Sequence, residues 1–209
     1  MIKNIIFDLG NVVIQNPNLE LVKKFFKNEE DAKKVNSFIF KSEYWKELDL
    51  GKITNKEAAE IIIRSKKIQL ENYNEFTKFM LEWFKECKPN IEVMEIANKL
   101  RKNNYKIFVL SNMAESTYKH FENNYDFFKK LDGSIVSGFV GIKKPDERIF
   151  KLLVEKYKLN FNECLLIDDD DTGKTYEIAN KLEIKGRNVN PNDAKDIETL
   201  LAENNIKYK

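Results

Sequence analysis

Three short apolar runs govern what this chain can fold into. Ile5-Ile6-Phe7, Ile107-Phe108-Val109-Leu110 and Leu165-Leu166-Ile167 are rich in β-favouring residues, and each stops abruptly at a polar one. Such runs are expected of strands buried on both faces of a parallel sheet. The first ends in Asp8, followed by Leu9-Gly10-Asn11. The second ends in Ser111-Asn112, and the third in Asp168-Asp169-Asp170-Asp171. Ligands of open parallel sheets bind outside the carboxyl ends of the strands, so these polar residues stand where chemistry is expected. Taken alone, the stretch around Asp8 and Gly10 reads equally as a strand followed by an Asx turn.

The segments between the runs repeat at helical spacing. After the breaker cluster Gln15-Asn16-Pro17-Asn18, the pattern from Leu19 to about Leu81 is helical throughout. Leu21, Val22, Phe25 and Phe26 form one apolar stripe, and Val35, Phe38 and Ile39 another. Gly51 supplies a turn, and Thr54 with Glu57 predicts a capping box that opens a further helix. Phe76, Phe79, Met80, Trp83 and Phe84 are read as the packing face of a helical bundle, not as a cofactor box. Cys87-Lys88-Pro89-Asn90 marks a boundary, beyond which helix and strand alternate.

Beyond that boundary, helices are predicted over Ile91–Lys102 and around Ser116–Glu122. Others run from Pro145 through Tyr157, around Tyr176–Leu182, and over Ala194–Leu201. Short strands are predicted at Ser134-Ile135-Val136 and within Ile184–Val189. Alternation with short connections implies an α/β fold with a parallel sheet and right-handed crossovers. Residues 16–88 are too long for a simple crossover. They are expected to form a small α-helical domain over the sheet edge, able to close on a site and exclude water. Residues 1–15 and 89–209 then form the core.

Composition narrows the function classes. Lys and Arg total 36 against 34 Asp and Glu, interleaved along the chain, so no basic block suggests nucleic acid. No uncharged run is long enough to span a bilayer, and the opening residues lack the regions of a signal peptide. Cys87 and Cys164 follow no metal-ligand spacing and read as buried thiols of a reducing compartment. The expected location is cytoplasmic, and the expected state a monomer or homodimer.

If the strands are parallel neighbours, Asp8, Ser111, Asn112, Asp168 and Asp169 meet at one edge, joined by Lys144 from a helix start at Pro145. Carboxylates so crowded cannot all stay ionised without counter-charge. Lys144 supplies one positive charge and a divalent cation would supply the rest. Oxygen ligands without a His or Cys cluster point to Mg²⁺. A cation, a lysine, a hydroxyl and an amide suit a phosphoryl group, with Asp8 as candidate nucleophile.

Phe-Asp-Leu-Gly-Asn-Val, Leu-Ser-Asn, Lys-Pro-Asp-x-x-Ile-Phe and Ile-Asp-Asp occur here in that order over nearly the whole chain. In this the sequence resembles the haloacid dehalogenase-like (HAD) superfamily. The resemblance implies a Rossmann-like three-layer core with a helical cap inserted after the first strand. It implies a hydrolase acting through an aspartyl-phosphate on Asp8, with Ser111 holding a phosphate oxygen and Asn112 beside it. Lys144 would neutralise nucleophile and phosphate. Asp8 and Asp169 would bind Mg²⁺, with the Gly10 carbonyl as a further ligand and Asp168 acting through a water. The implied partner is a small phosphorylated metabolite, with neither nucleic acid nor membrane.

Two features depart from the family pattern. Most of its phosphatases carry a second aspartate two residues after the nucleophile as general acid and base, and here that residue is Gly10. The Asp-Leu-Gly-Asn-Val form is nevertheless similar to a branch containing sugar-phosphate phosphatases, among them bacterial glucose-1-phosphate phosphatases. In the aspartate run, the strand end favours Asp168 and Asp169 as the motif, whereas alignment backwards from Ala179-Asn180-Lys181-Leu182 favours Asp170 and Asp171. The first pair is preferred, because side chains just past a strand end are better positioned. The function expected is a Mg²⁺-dependent phosphatase. A dehalogenase-type hydrolase and a catalytically silent relative that binds a phosphorylated ligand or a protein are the alternatives.

Two other signals carry no function. Thr172-Gly173-Lys174-Thr175 resembles the end of a phosphate-binding loop, but the glycine that pattern needs is Asp168. His120, the only histidine, is read as a surface or half-buried side chain.

Overall fold

In the computed structural model, which describes residues 1–190 and 193–208, alternate strand residues face two separate apolar layers. The strands are β1 (Asn4–Phe7), β2 (Lys106–Ser111), β3 (Gly133–Val136), β4 (Cys164–Asp168) and β5 (Lys185–Asn188). All are parallel, in the order β3-β2-β1-β4-β5. The helices in chain order are α1 (Leu19–Lys23), α2 (Glu29–Phe38), α3 (Glu43–Asp49), α4 (Asn55–Ser65), α5 (Tyr73–Glu82) and α6 (Ile91–Lys102). They are followed by α7 (Glu115–Asn124), α8 (Asp126–Lys129), α9 (Ser137–Val140), α10 (Glu147–Tyr157), α11 (Lys174–Lys181) and α12 (Ala194–Glu203).

The period of two along each strand fixes the layers. Ile5, Phe7, Ile107, Val109, Leu165 and Ile167 share one core with α6, α8 and α12. Ile6, Phe108, Leu110 and Leu166 share the other with Ile149, Phe150 and Leu153 of α10 and Ala179 of α11. This is the expected three-layer α/β architecture. The short α8 and α9 are additions that helical periodicity did not announce. Their sequences are only one turn long, and α8 forms because Phe127 and Phe128 bury themselves, Phe127 edge-on to Phe7 at 6.4 Å.

The order in which strands are added to the sheet reverses at β1, which has β2 on one side and β4 on the other. That is the switch point at which open sheets leave a crevice. Phe7 pairs with Val109 and with Ile167, and the Asp8 amide donates to the Ile167 carbonyl at 2.9 Å. The register therefore brings Asp8 level with Asp168, the last residue of β4.

Within the helical segment the buried Phe79 of α5 is a packing centre, its ring 5.6 Å from Phe25, 6.1 Å from Phe26 and 6.3 Å from Phe40. The Thr54–Glu57 capping box is present at the start of α4. The chain enters and leaves this helical segment through two extended stretches bonded to each other at an isolated bridge. Gln15 N–H donates to the Lys88 carbonyl at 2.9 Å, Asn90 N–H to the Val13 carbonyl at 2.8 Å, and Ile14 pairs antiparallel with Pro89.

A second attachment lies between α3 and α9. Gly51, at φ 66°, backs so closely on Gly138 that a Cβ there would overlap the Gly138 carbonyl. Among the described residues no helix is long and apolar enough to cross a membrane.

Candidate active site

Lys144 is the centre of the strand-end cluster. Its ammonium lies 2.9 Å from Asp8 Oδ1 and 2.5 Å from Asp168 Oδ2, and all three residues are buried. An ammonium between two carboxylates offsets the cost of desolvating each, and its pKa is raised by both of them against the opposing effect of burial. The Asp8 carboxyl is pushed up to about 6, first by burial and then by Asp168, while Lys144 and the Ser111 hydroxyl pull it down. It is thus largely ionised at neutral pH.

Three further residues hold this lysine and its partner in place. The Asn112 side chain accepts from Lys144 N–H at 2.8 Å and donates to the Lys144 carbonyl at 3.0 Å. The peptide bond from Lys144 to Pro145 is cis. On the other side, Asp168 Oδ1 accepts from Asp170 N–H at 3.0 Å, and the Tyr176 hydroxyl donates to the Asp168 carbonyl at 2.6 Å.

The aspartate run divides its labour. Asp8, Asp168 and Asp169 each present a carboxylate oxygen, all within 4.8 Å of one another. Hard oxygen donors in that arrangement suit a hard divalent cation. Asp169 Oδ2 also accepts from Asn11 Nδ2 at 2.8 Å. Asp170 instead organises its own turn, accepting from the Thr172 amide at 3.0 Å, the Thr172 hydroxyl at 2.6 Å and the Thr175 amide at 2.7 Å. Against the effect of burial, these bonds pull its pKa down to about 2. Asp171 is exposed. The geometry thus groups Asp168 and Asp169, not Asp170 and Asp171, with Asp8.

Ser111 ends β2, and its hydroxyl is buried without a well-formed hydrogen bond beside Asp8. A buried hydroxyl left so is costly unless a ligand engages it. Gly10 and Asn112 line an adjoining cavity of about 280 Å³, whose wall also includes Phe40, Trp45, Asp49 and Trp83 of the helical segment. Phe40 and Trp45 stack edge-on at 4.8 Å, and Trp45 lies 5.0 Å from Trp83. Trp83 Nε1 and Thr117 Oγ1, on residues that line the cavity, are buried without partners.

Three residues of this region were not singled out from sequence. Asn11 adopts a left-handed conformation, φ 62°, that asparagine tolerates and that turns its side chain to Asp169. Asp49 ends α3 at the cavity wall, and its carboxyl is pushed up to about 7, mainly by lost solvation, with Lys143 opposing and Asp8 reinforcing the shift. Ser137 accepts from Met113 N–H at 2.9 Å and donates to the Asp49 carbonyl. Gly51, by contrast, does not line this cavity and serves the attachment to Gly138.

The two discounted signals stay discounted. His120 packs its ring 5.1 Å from Phe84 and does not line the cavity. Lys174 and Thr175 open α11 behind Gly173, within the turn that Asp170 organises.

Comparison with known proteins shows what the chain is similar to. A solved HAD family enzyme from Bacteroides thetaiotaomicron, in complex with magnesium and inorganic phosphate, superposes with a TM-score of 0.67 at 21% identity, over 92% of this chain and 96% of that one. A predicted HAD-like family hydrolase from Porphyromonas gingivalis gives 0.69 at 20% identity, over 96% and 98%. The L-2-haloacid dehalogenase from Xanthobacter autotrophicus, with chloropropionic acid covalently bound, gives 0.66 at 15% identity, over 99% and 85%. These likenesses speak for the fold. No curated protein matches the sequence. The model of the haloacid dehalogenase-like hydrolase family matches residues 2–173, most of the chain, and the protein belongs to that family of hydrolases.

Proposed function

We propose that the protein is a Mg²⁺-dependent phosphatase of a small phosphorylated metabolite, with residues 16–88 as a cap over the site. The observation that carries this reading is the strand-end cluster. There the Asp8 and Asp168 carboxylates flank Lys144, and a buried Ser111 hydroxyl stands beside Asp8 without a well-formed hydrogen bond. A phosphoryl group would give that hydroxyl an acceptor and would place its own negative charge against Lys144.

In this reading the Asp8 carboxylate attacks phosphorus and the ester oxygen departs with its bonding electrons. Water then attacks the aspartyl-phosphate, releasing inorganic phosphate and restoring the carboxylate. Lys144 keeps Asp8 ionised and draws the phosphoryl oxygens into line. Asn112 acts through Lys144, fixing its backbone. Asp8, Asp169 and the Gly10 carbonyl would hold Mg²⁺, with Asp168 behind them through a water, and the ion would neutralise charge on the phosphoryl oxygens. The Bacteroides enzyme bound to magnesium and phosphate supports the choice of ion and group.

The cavity beyond Gly10 supports a sugar phosphate. Its aromatic wall of Phe40, Trp45 and Trp83, with the unpartnered Trp83 Nε1 and Thr117 hydroxyl nearby, suits a body that is apolar on its face and polar at its edge. Glucose 1-phosphate is the first sugar ester to try, because the Asp-Leu-Gly-Asn-Val form is shared with such phosphatases.

Phosphate release from p-nitrophenyl phosphate and a panel of sugar phosphates, with Mg²⁺ or EDTA, tests the reading. Turnover that needs Mg²⁺ and is lost in Asp8→Asn is expected. Halide release from a 2-haloacid without metal would instead make it a dehalogenase. A folded, Mg²⁺-binding protein that turns over neither would be a silent relative.

A further inference from the structure

Protonation of the leaving group has no owner in the cluster described so far. Gly10 has no side chain, Lys144 is committed to two carboxylates, and Ser111 is a weak acid. The cavity that opens from Gly10 and Asn112 is where the alcohol portion of an ester held on Asp8 would lie. Among the described residues that line it, Asp49 is the one side chain able to give and take a proton near neutral pH. The others are glycine, proline, alanine, asparagine, threonine and apolar residues.

Asp49 is also held there. Ser137, fully buried, takes the Met113 amide with one lone pair and donates its own hydrogen to the Asp49 carbonyl. Met113 follows Ser111 and Asn112 on the same strand end, and its carbonyl accepts from Gly138 N–H at 3.1 Å. Two residues past Asp49, Gly51 packs against that same Gly138. The C-terminus of α3 is thereby tied to the loop that carries the phosphate-side residues.

We propose that Asp49, carried on the helical segment, is the general acid and base of the phosphatase reaction. The assignment rests on the phosphatase reading above. As the bond between phosphorus and the ester oxygen breaks, the proton of the Asp49 carboxyl passes to that oxygen and the product leaves as an alcohol. The Asp49 carboxylate then takes a proton from the water that attacks the aspartyl-phosphate. The electrons of the broken Asp8–phosphate bond return to Asp8, and Asp49 is protonated again for the next turnover. A carboxyl pushed up to about 7 by lost solvation is matched to both duties. Lys143 and Asp8 are the charged groups that act on it.

The test is a series of aryl phosphates of rising leaving-group pKa: dinitrophenyl, p-nitrophenyl and phenyl. A positioned acid contributes roughly 10²–10⁴-fold where the leaving group is poor and little where it is good. Wild-type kcat/KM is expected to vary only shallowly across the series. Asp49→Asn is expected to lose on the order of 10²-fold or more on phenyl phosphate and less than about tenfold on dinitrophenyl phosphate. It should also release a burst of dinitrophenolate, about one equivalent per enzyme, because the base that drives hydrolysis of the intermediate is gone. Asp49→Glu should recover part of the shallow slope.

Equal loss across the series, or no burst, would overturn the assignment and leave the phosphatase reading standing. A wild type that hydrolyses none of these esters would overturn both.

Discussion

Asn112 and Lys144 clasp each other at two points. The amide oxygen of Asn112 accepts from the lysine's N–H at 2.8 Å, and its amide nitrogen donates to the lysine's carbonyl at 3.0 Å. The backbone from which the buried ammonium projects is therefore fixed from the neighbouring strand end. Asn112→Ala removes both bonds without touching Asp8 or Asp168. The phosphatase kcat/KM is expected to fall about 10²-fold, the scale of a small misplacement of a reacting group. Stability should fall by only about 1–2 kcal/mol, read as a thermal melting shift of several degrees.

The buried carboxyl of Asp8 sets a pH dependence in metal-free protein. Its pKa is raised from 3.8 to about 6, chiefly by burial, so the folded chain holds a proton that the unfolded chain has already released. The sign follows from linkage: this group's contribution to stability is greatest below the unfolded value and is lost as pH rises through the folded one. Asp8→Asn lacks that loss. In EDTA, the melting temperature of the variant relative to wild type is expected to rise between pH 4 and pH 6 and to level off above. A constant difference over that range would contradict it.

Gly10 leaves room for a repair. A Cβ built there lies 2.9 Å from Asn16 Oδ1, the free end of a side chain that can turn aside. Gly10→Asp is therefore expected to fold. In the Asp49→Asn background it should restore at least tenfold of the lost phenyl phosphate turnover, because a carboxyl at that position recovers the family's usual acid and base.

Gly51 and Gly141 form a matched pair for testing the second attachment. Both have positive φ, 66° and 67°, but a Cβ on Gly51 would overlap the Gly138 carbonyl, while nothing stands within 4 Å of one on Gly141. Gly141→Ala should cost only the left-handed penalty of roughly 1–2 kcal/mol. Gly51→Ala should cost visibly more in the same denaturation experiment and should also raise KM, since the contact beside Asp49 is forced apart.

The cysteines should be silent in the native protein. Burial raises Cys87 to about 12 and Cys164 to about 11, so hardly any thiolate exists at neutral pH. A thiol-reactive chromophore is expected to label neither until denaturant is added, when both should react.

Much of this was legible because strand-end chemistry is local. The carboxylates, hydroxyl and lysine of the cluster each announce themselves within a few residues of an apolar run or a Lys-Pro step. The parallel sheet does the rest by register. The choice of Asp168 and Asp169 over Asp170 and Asp171 followed from the same logic, and the turn built on Asp170 explains why four aspartates stand together.

Asp49 was not legible. At the end of an amphipathic helix an aspartate looks like any solvated side chain, and the hydroxyl that fixes it comes from Ser137, 88 residues later. Nor did the sequence betray that Asn112 would hold Lys144 across 32 residues. Pairings of that kind are set by tertiary packing, which leaves no periodic trace.

The bridge between Ile14 and Pro89 has a mechanical consequence. Since the helical segment joins the sheet covalently only there, any rocking of that segment pivots on these two bridged stretches as a door does on one hinge. The far edge is held by the Ser137–Asp49 bond and the Gly51–Gly138 contact, which together make a latch. The residue on the moving side of the latch is the proposed proton donor, so an open door is also a disarmed one.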